Sequence, residues 1–226
     1  MAILLNIDTA TEIAIISLAE NDSIIHHVTN TNQRDHASFL QPAIKILLQE
    51  ADLTINNINA VAVAAGPGSY TGLRVGMASA KGLCYALNIP MITINTLEVM
   101  ALSSINRIKD RSALYCPMID ARRMEVFTAV YDDQIAEIIK PCSMILNEES
   151  FKDMLQKSKI YFSGSGILKL KNILETQNAI FNNHQTTPDA MAALSYSAYI
   201  KKSFADIAYA SPEYLKEFYT PPKPGV

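Results

Sequence analysis

Cysteine is scarce in this chain of 226 residues, and the few present form no pattern. Cys84, Cys116 and Cys142 are odd in number, widely spaced and contain no CxxC, which excludes a disulfide framework and a thiolate metal knuckle. They read as reduced, buried thiols of a cytosolic protein. Histidine is nearly as rare. His26 and His27 adjoin, so on a strand they point to opposite sides, while His36 and His184 stand alone. Metal sites need two or more ligands at matched spacing, so no metal is expected here. An excess of positive charge is missing as well: the formal net charge is −3, and the chain as a whole offers nucleic acid no electrostatic attraction. No apolar run approaches the roughly 20 residues of a membrane span. The opening MAILLNIDTA has no basic region and meets Asp8 too early for a signal peptide. A cytoplasmic protein without a membrane partner is expected.

What is present is ordinary globular material. Hydrophobic residues make up 49% and charged residues 18%, enough for one large domain or two small ones. The chain is organised around VAVAAGPGSYTGLRVGMASAKGLCYAL, residues 61–87. A β-branched and alanine run reads as a buried strand, and Gly66-Pro67-Gly68 breaks it. Ser69 or Thr71 can cap the helix that follows, which runs to Leu87, with Asn88 suited to the position after its end and Pro90 barring extension. Gly72, Gly76, Ala80 and Cys84 recur every four residues, so one helix face carries little bulk and invites another backbone close. Two uses fit a glycine turn feeding a helix: a phosphate cradle at the helix N-terminus, or a tight turn with a closely docked helix. Thr71-Gly72-Leu73-Arg74 is not the Gly-Lys-Ser/Thr of a P-loop, and glycines 66, 68 and 72 have the wrong spacing for a dinucleotide fingerprint. The pattern alone favours architecture over phosphate.

Ahead of this stretch, Ile3–Ile7, Ile13–Leu18 and Ile24–Thr29 read as a β-meander, with Asp8 where the first strand ends. A helix is expected from about Asp35 to Ala51, with Leu40, Ile44 and Leu47 on one apolar side and Phe39, Ala43 and Ile46 on another. That is more apolar face than one core needs. Pro42 falls near its first turn, and His36 has a structural or capping role. Beyond the central helix come a strand at Met91–Asn95, a helix at Thr96–Ser104, and a polar linker, Asn106–Arg111. Arg107, Lys109 and Arg111 can touch phosphate, though a solvated linker is the simpler reading. LYCPMIDARRMEVFTAVYDD then repeats the plan of AILLNIDTATEIAIISLAEN, with Ile119-Asp120 standing where Ile7-Asp8 stood. Arg122, Arg123 and Glu125 ring the second turn; they can grip an anion, or pair with each other and Asp120, which is the reading favoured here. A short helix at Ser150–Lys157, a strand at Ile160–Ser163, the turn Gly164-Ser165-Gly166 and a helix at Pro188–Lys201 follow. Pro221, Pro222 and Pro224 suggest an extended, mobile end.

GPGSYTGLRVGMASAKGL followed by IPMITINTLEVMA closely resembles the TsaB (YeaZ) family, subunits of the bacterial machinery that makes threonylcarbamoyladenosine on tRNA. The resemblance covers most of the chain, strongest over Ile3–Ala101 and Pro117–Tyr131. It implies an α/β architecture of the actin/Hsp70-like (ASKHA) kind: two related lobes, here residues 1–106 and 107–226, each a mixed sheet flanked by helices. In ATP-using members of that fold, the turn at Asp8 holds phosphate or a metal-bound water, and a glycine pair such as Gly164 and Gly166 lies against adenosine. The alternatives are an Asx-type turn and a plain strand-to-helix turn. The tail SPEYLKEFYTPPKPGV resembles the family's Pro-x-Tyr-Leu-Arg ending, with Lys216 in the Arg position. The catalytic paralogue TsaD carries His-Leu-Glu-Gly-His where this chain has Thr96-Leu97-Glu98-Val99-Met100, so both metal ligands are replaced.

Nucleophilic catalysis finds no better footing. Ser69 in GPGSYTG is not the strained GxSxG elbow of a hydrolase, and no cysteine has an activating neighbour. Two readings are carried forward. In the first the protein is a noncatalytic scaffold for a TsaD-type subunit, reaching the TsaE-type ATPase through the complex and tRNA only indirectly, without a cofactor, and forming a homodimer when alone. Leu40, Ile44, Leu47, Leu73, Met77 and Ala80 are its expected interface positions. In the second it is an ATP-dependent phosphotransferase or ATPase using Asp8, Asp120, Gly164 and Gly166. Direct tRNA binding is a third, weaker possibility.

Overall fold

The structure is a computed structural model and describes residues 1–182 and 184–216. The prolines 221, 222 and 224 lie outside the described residues.

Strands β1 (Ile3–Asp8), β2 (Ala14–Glu20) and β3 (Ser23–Asn30) form the meander, and helix α1 (His36–Glu50) crosses to the parallel strand β4 (Ala60–Gly66). Helix α2 (Tyr70–Leu87) leads to β5 (Met91–Asn95), giving a five-stranded sheet of order β3-β2-β1-β4-β5. Strand β4 reads AVAVAAG and is buried throughout, because helices cover both faces of the sheet. Its Val61, Val63 and Ala65 pack with Leu5, Ile7, Leu40, Leu47 and Met77 beneath α1 and α2. Ala60 and Ala62 face the opposite side with Leu4.

The second sheet repeats the first. Strands β6 (Leu114–Asp120), β7 (Glu125–Tyr131) and β8 (Glu137–Ile145) make the meander. A short helix α4 (Lys152–Leu155) precedes β9 (Ile160–Ser163), and α5 (Ile167–Lys171) precedes β10 (Ala179–Asn182). The order β10-β9-β6-β7-β8 is that of the first sheet read from the other edge, so β6 corresponds to β1 and β9 to β4. The duplicated Ile-Asp pairs, Ile7-Asp8 and Ile119-Asp120, both end the first strand of their sheet.

Helix α3 (Thr96–Ile108) joins the two halves and runs about one turn further than its sequence suggests. Asn95 caps its start by accepting from the Leu97 N–H at 2.9 Å, and Lys109 closes it in the left-handed region. Arg107 therefore belongs to the helix, and the linker contracts to residues 109–113. Leu97, Met100 and Ala101 of α3 pack against Ile119, Ala129 and Tyr131 of the second sheet, forming a core shared by both halves. Helix α6 (Pro188–Ile200), which follows the second sheet in sequence, packs on the first: Ala190 and Met191 join the cluster of Leu4, Ala60, Ala62 and Ile92.

Beyond α6 an irregular strap, residues 204–216, crosses the first sheet. The Ala205 N–H donates to Met91 O at 2.8 Å on the open edge of β5, and the Glu213 N–H donates to Ala65 O at 2.7 Å. Lys81 of α2 donates to Ala210 O at 3.0 Å. The strap thereby covers a sheet edge that would otherwise offer unpaired backbone groups.

Candidate functional site

The ends of β1 and β6, the start of α2 and the β6–β7 turn meet between the two sheets. Ser69 caps α2, its Oγ accepting from the Gly72 N–H at 3.3 Å, and Asn88 closes the helix at φ 53°. The chain's own first turn packs against the start of this helix. The Ser69 N–H donates to Ala10 O at 2.7 Å, and Thr9 Oγ1 donates to Gly72 O at 2.7 Å. A Cβ at Gly72 would run into Thr9 O, and one at Gly76 would lie 2.5 Å from Thr9 Oγ1. The small-residue stripe thus serves as a seat for the β1–β2 turn, the architectural alternative to a phosphate cradle.

Asp8 lies beneath that seat. It is buried, its Oδ1 accepts from the Ala10 N–H at 3.0 Å, and its Oδ2 has no partner among the described residues. Burial raises its carboxyl to about 6, and the Ala10 hydrogen bond lowers it only in part. An acid sealed in this way does not line the cleft. Asp120, its counterpart in the second half, does line it. Burial pushes Asp120 upward, but the Lys169 ammonium and the Arg122 N–H outweigh that and hold the carboxyl below its ordinary value. Asp120 pairs with Lys169, and Glu125 with Lys216 and the Ser143 hydroxyl. The ion pairs expected among Asp120, Glu125, Arg122 and Arg123 are therefore not formed: the carboxylates find lysines brought in from α5 and the strap. Gly164 and Gly166 are turned toward β6 and β7 and not toward the cleft. A Cβ at Gly164 would strike Met118 O, and one at Gly166 would lie 2.8 Å from Val126 Cγ1. Ser165 Oγ accepts from the Asp120 N–H at 3.1 Å, stitching the turn to β6.

The cleft itself has two chambers that share Gly68, Tyr70, Ala121, Arg122 and Phe127. One, of about 660 Å³, reaches Thr11, Thr71, Asp120 and Ser165. The other, of about 890 Å³, runs under the strap and is walled by Leu73, Met124, Ile145, Tyr214 and Lys216. At its mouth the Arg74 guanidinium lies 3.9 Å from the Tyr70 ring centre and donates to Tyr214 Oη at 3.1 Å. The sequence reading missed this wall, because the strap has no periodicity to mark it.

The six expected interface positions, Leu40, Ile44, Leu47, Leu73, Met77 and Ala80, are buried in the chain's own interior, none above 4% exposed. Their helical spacing identifies the inward faces of α1 and α2. The outward face of α2 is a second four-residue register, Ala78, Gly82 and Ala86, all exposed. A Cβ at Gly82 would meet nothing within 4 Å. Ile46 on α1 and Tyr85 on α2 are 45% and 83% exposed, and Gln41 donates to Ser79 Oγ at 3.3 Å across the seam between the helices. This register is as legible in the sequence as the Gly72, Gly76, Ala80 and Cys84 one, and only the position of the sheet decides which of the two faces outward.

On α3, Thr96 and Met100 are both buried, Met100 within the shared core between the sheets. Among the described residues no three His, Cys, Asp or Glu side chains are grouped to hold a metal ion. His36 is buried with neither ring nitrogen bonded among the described residues, and burial lowers its pKa. Burial pushes the Cys84 thiol to about 11 and Cys116 to about 12, so neither is a ready nucleophile. No helix among the described residues is long and apolar enough to cross a membrane.

Residues 23–220 match the family described as TsaD, tRNA N6-adenosine threonylcarbamoyltransferase. The chain is 28% identical to the tRNA threonylcarbamoyladenosine biosynthesis protein TsaB of Bacillus subtilis, over 94% of this chain and 93% of the relative. It is 35% identical to the Escherichia coli protein of the same name, over 57% and 54%. Among solved structures, YeaZ from Pseudomonas aeruginosa superposes with a TM-score of 0.82 at 24% identity, covering 95% of this chain and all of that one. The activator of 2-hydroxyisocaproyl-CoA dehydratase from Clostridium difficile, at a TM-score of 0.50 and 8% identity over 89% and 96%, shares the actin/Hsp70-like (ASKHA) fold alone.

Proposed function

Because the chain belongs to the TsaD family of tRNA N6-adenosine threonylcarbamoyltransferase domains, and within it to the TsaB (YeaZ) branch, we propose that it is a noncatalytic subunit of threonylcarbamoyladenosine biosynthesis on tRNA. Its task is to hold a TsaD-type catalytic subunit, with a TsaE-type ATPase and tRNA engaged through that complex in the cytoplasm. The observation that carries this reading is the outward face of α1 and α2. Ala78, Gly82 and Ala86 leave a shallow track on α2, with the exposed Tyr85 on the same helix. Small residues let a facing helix approach closely, and exposed apolar neighbours give it surface to bury. Without the partner the same face serves a symmetric homodimer, since a twofold contact uses one patch on both chains.

The reading as noncatalytic rests on α3. Where the resemblance puts the histidines of TsaD, this chain has a buried hydroxyl and a thioether packed into the shared core. A thioether is a poor donor to a hard divalent ion. The ATP-using alternative needs Asp8 at the nucleotide, whereas its carboxyl is buried under the α2 seat.

The test is Gly82→Arg. Open space at Gly82 leaves the fold intact, so circular dichroism and melting temperature stay at wild-type values while binding of a TsaD-type subunit in calorimetry falls at least tenfold, about 1.4 kcal/mol or more. Sedimentation of the isolated wild type shows a dimer that the variant lacks. Unchanged association in both assays would remove the α1–α2 face from the account.

A further inference from the structure

The β6–β7 turn is built at a cost. Arg122 and Arg123 both sit in the left-handed backbone region, at φ 69° and 49°. Residues other than glycine, asparagine and aspartate are strained there. Glycine at either position would relieve the strain, so the turn keeps its two guanidinium groups against its own conformational preference. Neither arginine forms an ion pair among the described residues, since Asp120 and Glu125, the nearest carboxylates in sequence, are held by Lys169 and Lys216. Both arginines line the larger chamber of the cleft.

The same chamber gathers exposed apolar surface. Met124, Ile145, Tyr70 and Tyr214 are 41%, 71%, 42% and 39% exposed, and all four face this one cleft. Exposed tyrosine, methionine and arginine around a groove is the composition of a protein-binding surface. We infer that the larger chamber is a docking groove for an extended, acidic segment of a partner protein, with its carboxylates on Arg122 and Arg123 and an aromatic or aliphatic side chain between Met124 and Tyr214. Charge complementarity selects acid over base. The groove also favours a peptide over RNA. A strand of RNA needs a row of cations that follows its phosphates, whereas this chamber offers one adjacent pair, Arg122 and Arg123, its Lys216 being already paired with Glu125. This groove is separate from the outward α1–α2 face.

Methyl NMR on the full chain, observing the Met124 methyl identified through Met124→Leu, reads occupancy directly. The probes are the hexapeptide Glu-Asp-Phe-Leu-Asp-Glu, its counterpart Lys-Lys-Phe-Leu-Lys-Lys, ten-residue polyuridine and inorganic phosphate. Saturable shifts with the acidic peptide are expected, weakened about fivefold or more in Arg122→Gly/Arg123→Gly and again by raising salt to molar levels. The double variant folds, because glycine suits both φ values. No shift at millimolar acidic peptide overturns the proposal, as does an equal response to the lysine peptide or indifference to the arginines. Displacement of the peptide by polyuridine or phosphate at lower concentration overturns it too, by making the groove an RNA or small-anion site. Gly82→Arg leaves this response unchanged, so failure here and failure of the helix-face reading are told apart.

Discussion

At the scale of single residues, Asp8 and two glycines make opposed demands on the fold. Asp8 has its carboxyl raised from 3.8 to about 6 by burial, so the folded state holds a proton that the unfolded chain gives up. Its protonated form costs nothing below the unfolded value. As pH rises from about 4 through 6 the folded state loses stability, by up to about 3 kcal/mol in total from a shift of about two pH units. Asp8→Asn keeps an acceptor for the Ala10 N–H and removes the ionisation. The variant should match wild type near pH 4 and melt several degrees higher at pH 7.5, as differential scanning fluorimetry across pH would show. Gly72 and Gly82 occupy the same helix ten residues apart and should respond in opposite directions to the same change. Gly72→Ala drives a methyl into Thr9 O and should cost about 1–3 kcal/mol. Gly82→Ala meets open space and should gain up to about 1 kcal/mol from helix propensity, both read by urea unfolding.

At the scale of elements, the strap is the part whose role is easiest to isolate. Lys81 holds it by donating to Ala210 O, and Lys81→Ala should leave α2 intact while loosening residues 204–216. Amide exchange at Ala205 and Glu213 should quicken about fivefold, the effect of losing a bond worth about 1 kcal/mol, with no change at Val61 or Val63 in β4. Local signals made much of the element order readable. Ser69 and Asn88 mark the ends of α2, and the repeated Ile-Asp announces the second meander. The strap escaped because its bonds run from backbone N–H groups to carbonyls over a hundred residues distant, and nothing in its side chains encodes that. The inward face of α1 was ambiguous for a related reason. Ile46 fits the apolar pattern as well as Leu47 does, and only the position of the sheet decides which is exposed. The partners of Asp120 and Glu125 were likewise unreadable, since Lys169 and Lys216 arrive through tertiary packing.

At the scale of the whole molecule, α3 ties two similar halves together through a shared core. Its Leu97, Met100 and Ala101 share a core with Ile119, Ala129 and Tyr131, and α6 returns from beyond the second sheet to close the first. Ser104 Oγ donates to Ser163 Oγ at 3.3 Å, adding a polar tie at the same boundary. Heating should therefore give a single calorimetric transition. Leu97→Ala should lower it as one peak, with a loss of about 2–5 kcal/mol. Two separated transitions in either protein would mean that the halves fold independently and that the shared core contributes little.

The pair of arginines held at positive φ bears on how such a protein would fare under artificial selection. A screen rewarding heat resistance alone should drift both codons toward glycine within a few rounds. The survivors would melt at higher temperature, and would have lost the charge that gives the neighbouring groove its preference.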